Sequence, residues 1–287
     1  MLILPPNPNT RRGYKVSWSA NKDTYLAYPC QNNVVLRNLK DPRAPALVYT
    51  DFQGKVTSVR WGPTGEYLAC GDEKGKVKLV SYNAESKQFI VKKEHSMLAG
   101  PVYAIAWTDD GQRITAGGEG KDMLAKAVLA ESGTKVGDLY GPSKTVTSMD
   151  LKAKPYRLVL SGENQEVYVF DGVPFKHAKT INLHTNFVNQ VSFRPDGKVF
   201  MSVSSDKTIA FYDSETLEVI RKIEKAHTKG IMDASWVDDR TVVTCSTDNT
   251  VKYWSFEDGA EIRSLNLYGE GKEAVEHQQL GLVHTAD

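Results

Sequence analysis

The stretch 191–213, VSFRPDGKVFMSVSSDKTIAFYD, contains in one copy the pattern that decides the fold. It begins with an apolar–x–aromatic tripeptide, turns at Arg194–Gly197, continues through a short apolar run, turns again and ends in the alternating segment Thr208–Tyr212. Alternating side chains that include β-branched and aromatic residues, separated by Pro- and Gly-containing turns, are the signature of β-strands. The stretch therefore predicts consecutive short strands joined by tight turns.

The same tripeptide recurs along the chain at a nearly constant spacing. Its last residue falls at positions 18, 61, 107, 150, 193 and 236, so the steps are 43, 46, 43, 43 and 43. In the fourth copy, Ser148-Met149-Asp150, an aspartate stands where the others have an aromatic residue. A period of about 40–45 residues is typical of four-stranded propeller blades, and no stretch sustains the period of about 3.6 expected of helices. The sequence predicts an all-β propeller.

Six repeats account for most of the chain, and we expect blades at approximately 14–52, 53–98, 99–141, 142–184, 185–227 and 228–270. The remaining segments, 271–287 together with 1–13, are expected to form a partial seventh blade. A propeller must close, because an open ring leaves unpaired strand edges that promote aggregation. The whole chain 1–287 is therefore predicted to be a single propeller, seven-bladed with an incomplete seventh blade.

Composition excludes several classes of function. The chain has 36 basic and 35 acidic residues, and this balance argues against nucleic acid as a partner. No apolar run approaches the length of about 18–20 residues that crosses a bilayer, which argues against a membrane. The three cysteines are odd in number and widely spaced, which is typical of a reducing compartment. We expect a cytoplasmic protein.

The sequence motifs of common enzyme sites are incomplete or absent in this chain. The segment 117–122 lacks the first glycine and the hydroxyl residue of a phosphate-binding loop, and it lies between predicted strands rather than before a helix. A nucleophile elbow, a Cys-x-x-Cys pair and a His-Glu-x-x-His motif are all absent from the sequence. We therefore predict no catalytic residues, no cofactor and no metal ligand, although a metal site assembled from separate blades stays open.

Two segments resemble the WD-repeat family specifically. Ser204–Asp213 is similar to the end of a WD repeat with Tyr in place of Trp, and Ser246–Ser255 keeps the Trp but loses the Asp. A histidine precedes the sixth repeat where the family has one. The resemblance implies a structural hydrogen-bond set within that blade, formed by His227, Thr244, Asp248 and Trp254. A buried imidazole and a buried indole N–H each need a partner, so this set is expected to be structural rather than catalytic.

A narrower resemblance covers nearly the whole chain, in segments that occur in the same order. These segments are Pro5-Pro6-Asn7-Pro8-Asn9-Thr10-Arg11-Arg12-Gly13, Cys70-Gly71-Asp72-Glu73-Lys74-Gly75-Lys76-Val77, Gly100-Pro101-Val102-Tyr103-Ala104-Ile105-Ala106-Trp107, Gly118-Glu119-Gly120-Lys121-Asp122, Gly172-Val173-Pro174-Phe175-Lys176 and Gln278-Gln279-Leu280-Gly281. They look like the actin-interacting protein 1 family, whose members have two seven-bladed propellers. The present sequence resembles the N-terminal propeller only.

The resemblance implies function by binding rather than by chemistry. Members of the family bind filamentous actin and cofilin (actin-depolymerising factor) and promote filament disassembly at the actin cytoskeleton. Their protein-binding positions fall on Glu119, Glu163 and Phe187, and a fourth falls on His177, where the family has an aromatic residue. Without the resemblance, loop carboxylates are usually only solvated and Phe187 is as well explained by packing. The alternative is a general WD-repeat scaffold subunit that binds peptides or partner proteins in a larger assembly.

Overall fold

The computed structural model describes residues 19–20, 25–41, 43–83, 88–266 and 279–282. These residues form twenty-four β-strands and contain no helix, so none of them belongs to a helix that could span a membrane. The predicted all-β class is confirmed. The first copy of the tripeptide, 16–18, lies outside the described residues.

The strands form six four-stranded antiparallel sheets, each built in chain order and each called a blade below. Blades one and two contain β1 (Ser19–Ala20), β2 (Tyr25–Cys30), β3 (Asn33–Asn38), β4 (Leu47–Tyr49), β5 (Val56–Trp61), β6 (Tyr67–Asp72), β7 (Lys76–Asn83) and β8 (Gln88–Ser96). Blades three and four contain β9 (Val102–Trp107), β10 (Arg113–Gly118), β11 (Ala125–Leu129), β12 (Lys135–Asp138), β13 (Val146–Lys152), β14 (Arg157–Gly162), β15 (Val167–Asp171) and β16 (Lys176–Ile181). Blades five and six contain β17 (Val188–Phe193), β18 (Val199–Ser204), β19 (Ile209–Asp213), β20 (Val219–Ile223), β21 (Ile231–Trp236), β22 (Thr241–Ser246), β23 (Thr250–Ser255) and β24 (Glu261–Asn266).

Neighbouring blades pack face to face through their apolar side chains. The first strand of each blade contacts the first strand of the next, as β9 contacts β13 and β13 contacts β17. Between blades three and four, for example, Leu158 and Phe170 are fully buried in one apolar cluster with Ala104. Sheets that are apolar on both faces and packed side by side through their first strands form a β-propeller.

The strands of each blade begin and end at two opposite sides of the sheet, which are called edges here. At one edge, called the front edge, the first strand begins and the second ends, as shown by the pairing of Val102 with Gly118 and of Val146 with Gly162. At the opposite or back edge, the first strand ends and the second begins. The loops between blades, and those between second and third strands, therefore lie at the front edge.

The aromatic residues of the repeat end the first strands at the back edge. The indole N–H of Trp107 donates to the carbonyl of Arg60 in the preceding blade, over 3.3 Å. Where the fourth aromatic residue is missing, the carboxylate of Asp150 accepts the backbone N–H of Phe193 (2.8 Å), and Arg60 Nη2 lies 3.4 Å from its other oxygen. A cavity of about 430 Å³ opens beside this aspartate. In blade four, the polar contacts of Asp150 with Phe193 and Arg60 thus replace an aromatic contact.

Residues 279–282 lie against blade six. The backbone N–H of Gln279 donates to the carbonyl of Ser246 (3.2 Å), and that of Leu282 donates to Asp233 Oδ2 (2.9 Å). The other residues of 271–287, and all of 1–13, which are predicted to form a partial seventh blade, lie outside the described residues. The seven-blade count, and the assignment of 1–287 to a single propeller with the stated blade limits, stay predictions.

Candidate protein-binding face and buried histidine networks

The structure brings together the four residues of the sequence-derived hydrogen-bond set. His227 lies in the loop before β21, and its Nδ1 is 3.0 Å from Asp248 Oδ2. Its Nε2 is 2.8 Å from Thr244 Oγ1, which also accepts the indole N–H of Trp254 at 2.9 Å. The side chain of His227 is fully buried, and that of Asp248 nearly so. The set ties the loop to the second and third strands of blade six.

Every polar group in this hydrogen-bonded set has a partner when the imidazole of His227 is neutral. The indole N–H of Trp254 donates to Thr244, whose hydroxyl donates to Nε2, and Nδ1–H donates to Asp248. Burial alone would raise the pKa of Asp248, but hydrogen bonds from His227 and Thr250 outweigh it and hold that pKa well below its usual range. Because the side chains of this set are buried, we assign the set to the stability of the blade and not to contact with a substrate.

Blade five contains a second set of the same kind, which the sequence reasoning missed. His184 Nε2 is 2.6 Å from Ser202 Oγ, which is 3.0 Å from the hydroxyl of Tyr212. His184 Nδ1 is 2.9 Å from Asp206 Oδ2, and the resulting hydrogen bond helps to lower the pKa of Asp206 against the effect of burial. The available signal was the offset of 43 residues between His184 and His227, obscured because Tyr replaces Trp and Ser replaces Thr.

Three of the four predicted protein-binding residues share the front edge of adjacent blades. Glu119 and Glu163 each directly follow a second strand, and their backbone N–H groups donate to the carbonyls of Pro101 (2.9 Å) and Thr145 (3.1 Å). Phe187 lies in the loop before blade five, with 44 % of its surface exposed. The two carboxylates and the aromatic ring therefore belong to one face of the propeller.

His177, the fourth predicted residue, lies on the outer strand of blade four. It is the second residue of β16 and pairs with Phe170 near the back edge of blade four. Its ring meets that of Phe170 edge to face at 5.6 Å, and Nε2 lies 2.9 Å from Thr180 Oγ1. The side chain is exposed on the outer strand, and its Cδ2 would lie 3.8 Å from a Cβ atom at Gly141, in the loop between blades three and four.

Two glycines allow the close strand approach that positions these carboxylates. A Cβ atom added to Gly118 would lie 1.9 Å from the carbonyl oxygen of Pro101, and one added to Gly162 would lie 2.0 Å from that of Thr145. The strand register also shifts beside each glycine. Only glycine fits where two backbones come this close.

We expect Gly162→Ala to lower the free energy of unfolding by about 1–3 kcal/mol, because the new methyl group must push the backbone of Thr145 aside. Urea unfolding of the two proteins measures the difference. Gly54→Ala is the matched control at the same front edge, since its methyl group would first meet the flexible carboxylate of Glu73. Equal losses in the two variants would contradict this explanation.

The structure adds two residues to the front edge that sequence reasoning did not single out. Glu73 occupies in blade two the position of Glu119 and Glu163, and its backbone N–H donates to the carbonyl of Lys55 (2.9 Å). The sequence feature that could have identified Glu73 was its spacing of 46 residues from Glu119. Tyr140 is 63 % exposed in the loop between blades three and four, and no repeat position marks it in the sequence.

The cavity at the back edge, beside Asp150, is the other candidate site. Its charged lining groups are largely engaged with neighbours: Arg194 pairs with Asp196 at 2.7 Å, and Asp109 accepts the hydroxyl of Tyr156 at 2.9 Å. Within the described part of the chain, no cluster of three or more His, Cys, Asp or Glu side chains is arranged to hold a metal ion. The front face is therefore the better candidate for function.

Two family models match parts of the sequence. The model "WD domain, G-beta repeat" matches residues 175–213 and 218–255, and that of the anaphase-promoting complex subunit 4 WD40 domain matches residues 16–110. Among solved structures, a chain from "Crystal Structure of Mitotic Checkpoint Complex" aligns with a TM-score of 0.80 over 96 % of this chain and 82 % of that one, at 17 % identity. That likeness concerns the fold alone. Together they confirm the predicted WD-repeat β-propeller class.

Curated relatives match almost the full sequence. Actin-interacting protein 1 of Drosophila melanogaster is 36 % identical over 98 % of this chain and 46 % of its own length. WD repeat-containing protein 1 of Bos taurus is 35 % identical over the same shares. The 66 kDa stress protein of Physarum polycephalum is 34 % identical over 82 % of this chain and 39 % of its own length. The chain thus spans about half the length, or less, of these relatives.

Proposed function

Because this chain belongs to the actin-interacting protein 1 family of WD-repeat proteins and corresponds to the N-terminal half of its members, we propose that it binds actin filaments together with cofilin and promotes filament disassembly. In this proposal it acts in the cytoplasm, at the actin cytoskeleton, by binding alone. Nucleic acid and membranes are not among its proposed partners, in keeping with its balanced charge.

The observation that carries the proposal is the shared front edge of Glu119, Glu163 and Phe187. The two carboxylates follow equivalent strands in blades three and four, and the ring of Phe187 is exposed at the beginning of blade five. An exposed aromatic ring and two carboxylates on one face, of which Glu119 also accepts the hydroxyl of Tyr103 at 2.9 Å, suit a protein interface, because aromatic anchors contribute much of the binding energy and charges align the partner. His177 is proposed as a contact at the outer strand of blade four, beside Gly141 of the loop between blades three and four.

A non-enzymatic role agrees with the histidine networks. The only two histidine–aspartate pairs within hydrogen-bond distance among the described residues are those of His184 and His227, and both imidazoles are buried. Each network also closes on itself through a hydroxyl and an aromatic side chain. We therefore assign these groups to stability and the front face to binding.

We expect Glu119→Gln and Glu163→Gln each to weaken binding to cofilin-decorated actin filaments by about tenfold, equivalent to 1.4 kcal/mol, because each removes a fixed negative charge and leaves the side-chain shape. Co-sedimentation over a range of filament concentrations measures the affinity. Filament severing followed by microscopy measures the activity.

Glu215→Gln is the matched control, since this exposed carboxylate follows the third strand of blade five at the back edge. The control should bind as the unaltered chain does. If the unaltered chain neither binds decorated filaments nor changes their severing, the proposed function is wrong.

A scaffold role in a larger assembly is the second candidate, and the back-edge cavity beside Asp150 favours it. In that case a stable stoichiometric partner other than actin and cofilin would be recovered with the chain. Its binding would be lost when the cavity is filled by Asp150→Phe and kept in Glu163→Gln.

A further inference from the structure

Tyr140 is the most exposed of the large apolar and aromatic side chains in the part of the chain that the structure describes, at 63 %. Its backbone is nevertheless held firmly on both sides. Leu139 before it is 1 % exposed in the apolar cluster between blades three and four. Gly141 after it has φ +136°, and a Cβ atom there would lie 3.0 Å from Cδ1 of Tyr168. The loop is thus pressed onto blade four while the ring of Tyr140 faces solvent.

The position of Tyr140 completes an alternating series around the front edge. In blade order, Glu119 belongs to blade three, Tyr140 to the loop between blades three and four, Glu163 to blade four and Phe187 to the loop between blades four and five. Carboxylates and exposed aromatic rings therefore alternate over three adjacent blades. The front-edge loops 119–124, 139–145 and 163–166 together contain the acidic residues Glu119, Asp122, Glu163 and Glu166 and the basic residues Lys121 and Lys144, so carboxylates outnumber basic side chains there.

We propose that Tyr140 is a central contact residue of this face, and that the surface it recognises is a basic protein surface. This inference rests on the proposed function and names the chemistry of the partner at the same site. Arginine and lysine side chains can pair with the carboxylates of Glu119 and Glu163 while their stems and cationic heads lie on the rings of Tyr140 and Phe187.

A tyrosine held in this way is well suited to anchor a partner. Its side chain has two rotatable bonds, so little conformational entropy is lost when its large surface is covered. The residue before it, Leu139, is already buried between blades three and four, which lowers the entropy cost of ordering this loop on binding. Interface residues of greatest effect are enriched in tyrosine and lie near the centre of the contact.

The test uses the full chain and actin filaments decorated with cofilin. Tyr140→Ala should weaken binding by about 30-fold, the size expected of a central aromatic contact. Tyr140→Phe keeps the ring and should stay within about threefold of the unaltered chain. Ile262→Ala is the matched control, because Ile262 is 57 % exposed on the outer strand of blade six. It should leave the affinity unchanged.

The salt dependence of binding tests the chemistry of the partner. Raising the salt concentration should weaken binding, and Glu163→Gln should make the affinity less sensitive to salt, whereas Ile262→Ala should not. An affinity independent of salt would overturn the basic partner surface. A loss in Tyr140→Phe as large as in Tyr140→Ala would overturn the contact through the ring.

The results separate this inference from the function on which it rests. If the unaltered chain binds and Tyr140→Ala binds equally well, the role of Tyr140 is wrong and the proposed function stands. If the unaltered chain does not bind decorated filaments at all, both are wrong. Equal unfolding midpoints of the variants show that the exposed substitutions leave the fold intact.

Discussion

Thr244→Val is expected to lower the free energy of unfolding by about 2–5 kcal/mol, because it removes one hydroxyl that serves two buried partners. The indole N–H of Trp254 and the imidazole Nε2 of His227 both meet Thr244 Oγ1, at 2.9 Å and 2.8 Å. Valine has nearly the same shape, so the loss comes from the two unpaired polar groups rather than from a cavity. Each unpaired buried group contributes about 1–3 kcal/mol.

Thr244→Ser distinguishes the contribution of the Thr244 hydroxyl to stability from that of its methyl group. Serine keeps the shared oxygen and removes one methyl group, so we expect a loss of about 1 kcal/mol. Equilibrium unfolding in urea, with the same slope in both variants, measures the two values. If valine and serine destabilise the protein equally, the shared hydroxyl is not what stabilises blade six.

Acid is expected to destabilise the propeller through the two buried aspartates. The pKa values of Asp206 and Asp248 are lowered in the folded protein, since hydrogen bonds from His184 and His227 outweigh the effect of burial. A lowered folded pKa means that the stabilisation is complete above the unfolded pKa and is lost as the pH falls toward the folded value. As the pH falls below about 3.9, each carboxyl should therefore cost the fold up to about 1.4 kcal/mol per pH unit, which makes up to about 3 kcal/mol per pH unit for the two together.

Asp248→Asn isolates one of these contributions. The variant should be clearly less stable than the unaltered chain at pH 6, and the difference should shrink as the pH falls from about 4 to 3. The exposed Asp239 supplies the control, because Asp239→Asn makes the same chemical change at the surface and should leave the stability at pH 6 nearly unchanged. A difference for Asp248→Asn that stays constant between pH 6 and pH 3 would contradict this account.

Much of the fold could be read from spacing, because each blade repeats one unit of strands and turns. The turn Arg194–Gly197 predicted from Pro-Asp-Gly is present, with Gly197 at φ +69°. The front-edge positions of Glu119 and Glu163 also follow from the spacing, since both come directly after a second strand. Local turn chemistry and strand alternation act within one repeat, so they are visible in a single sequence.

Other features could not be predicted from the spacing, because they depend on contacts between repeats or on the conformation of irregular loops. The exposure of Tyr140 results from a loop whose neighbours Leu139 and Gly141 are held by blade four, and nothing in the repeat marks it. The approach of His177 to Gly141 joins an outer strand to the preceding loop between blades, and spacing within one repeat does not show it. The replacement of an aromatic residue by Asp150 was visible, but its tie to Arg60, two blades away, was not.

The continuity of each blade along the chain has a consequence for how the protein folds. Every described sheet is complete within one uninterrupted stretch, such as 188–223 for blade five, and its strands pair with their immediate sequence neighbours. Chain regions that meet only nearby segments close short loops, and such loops form quickly. We expect individual hairpins to form early and packing between adjacent blades to follow in chain order. Folding would then resemble the growth of a linear array of repeats.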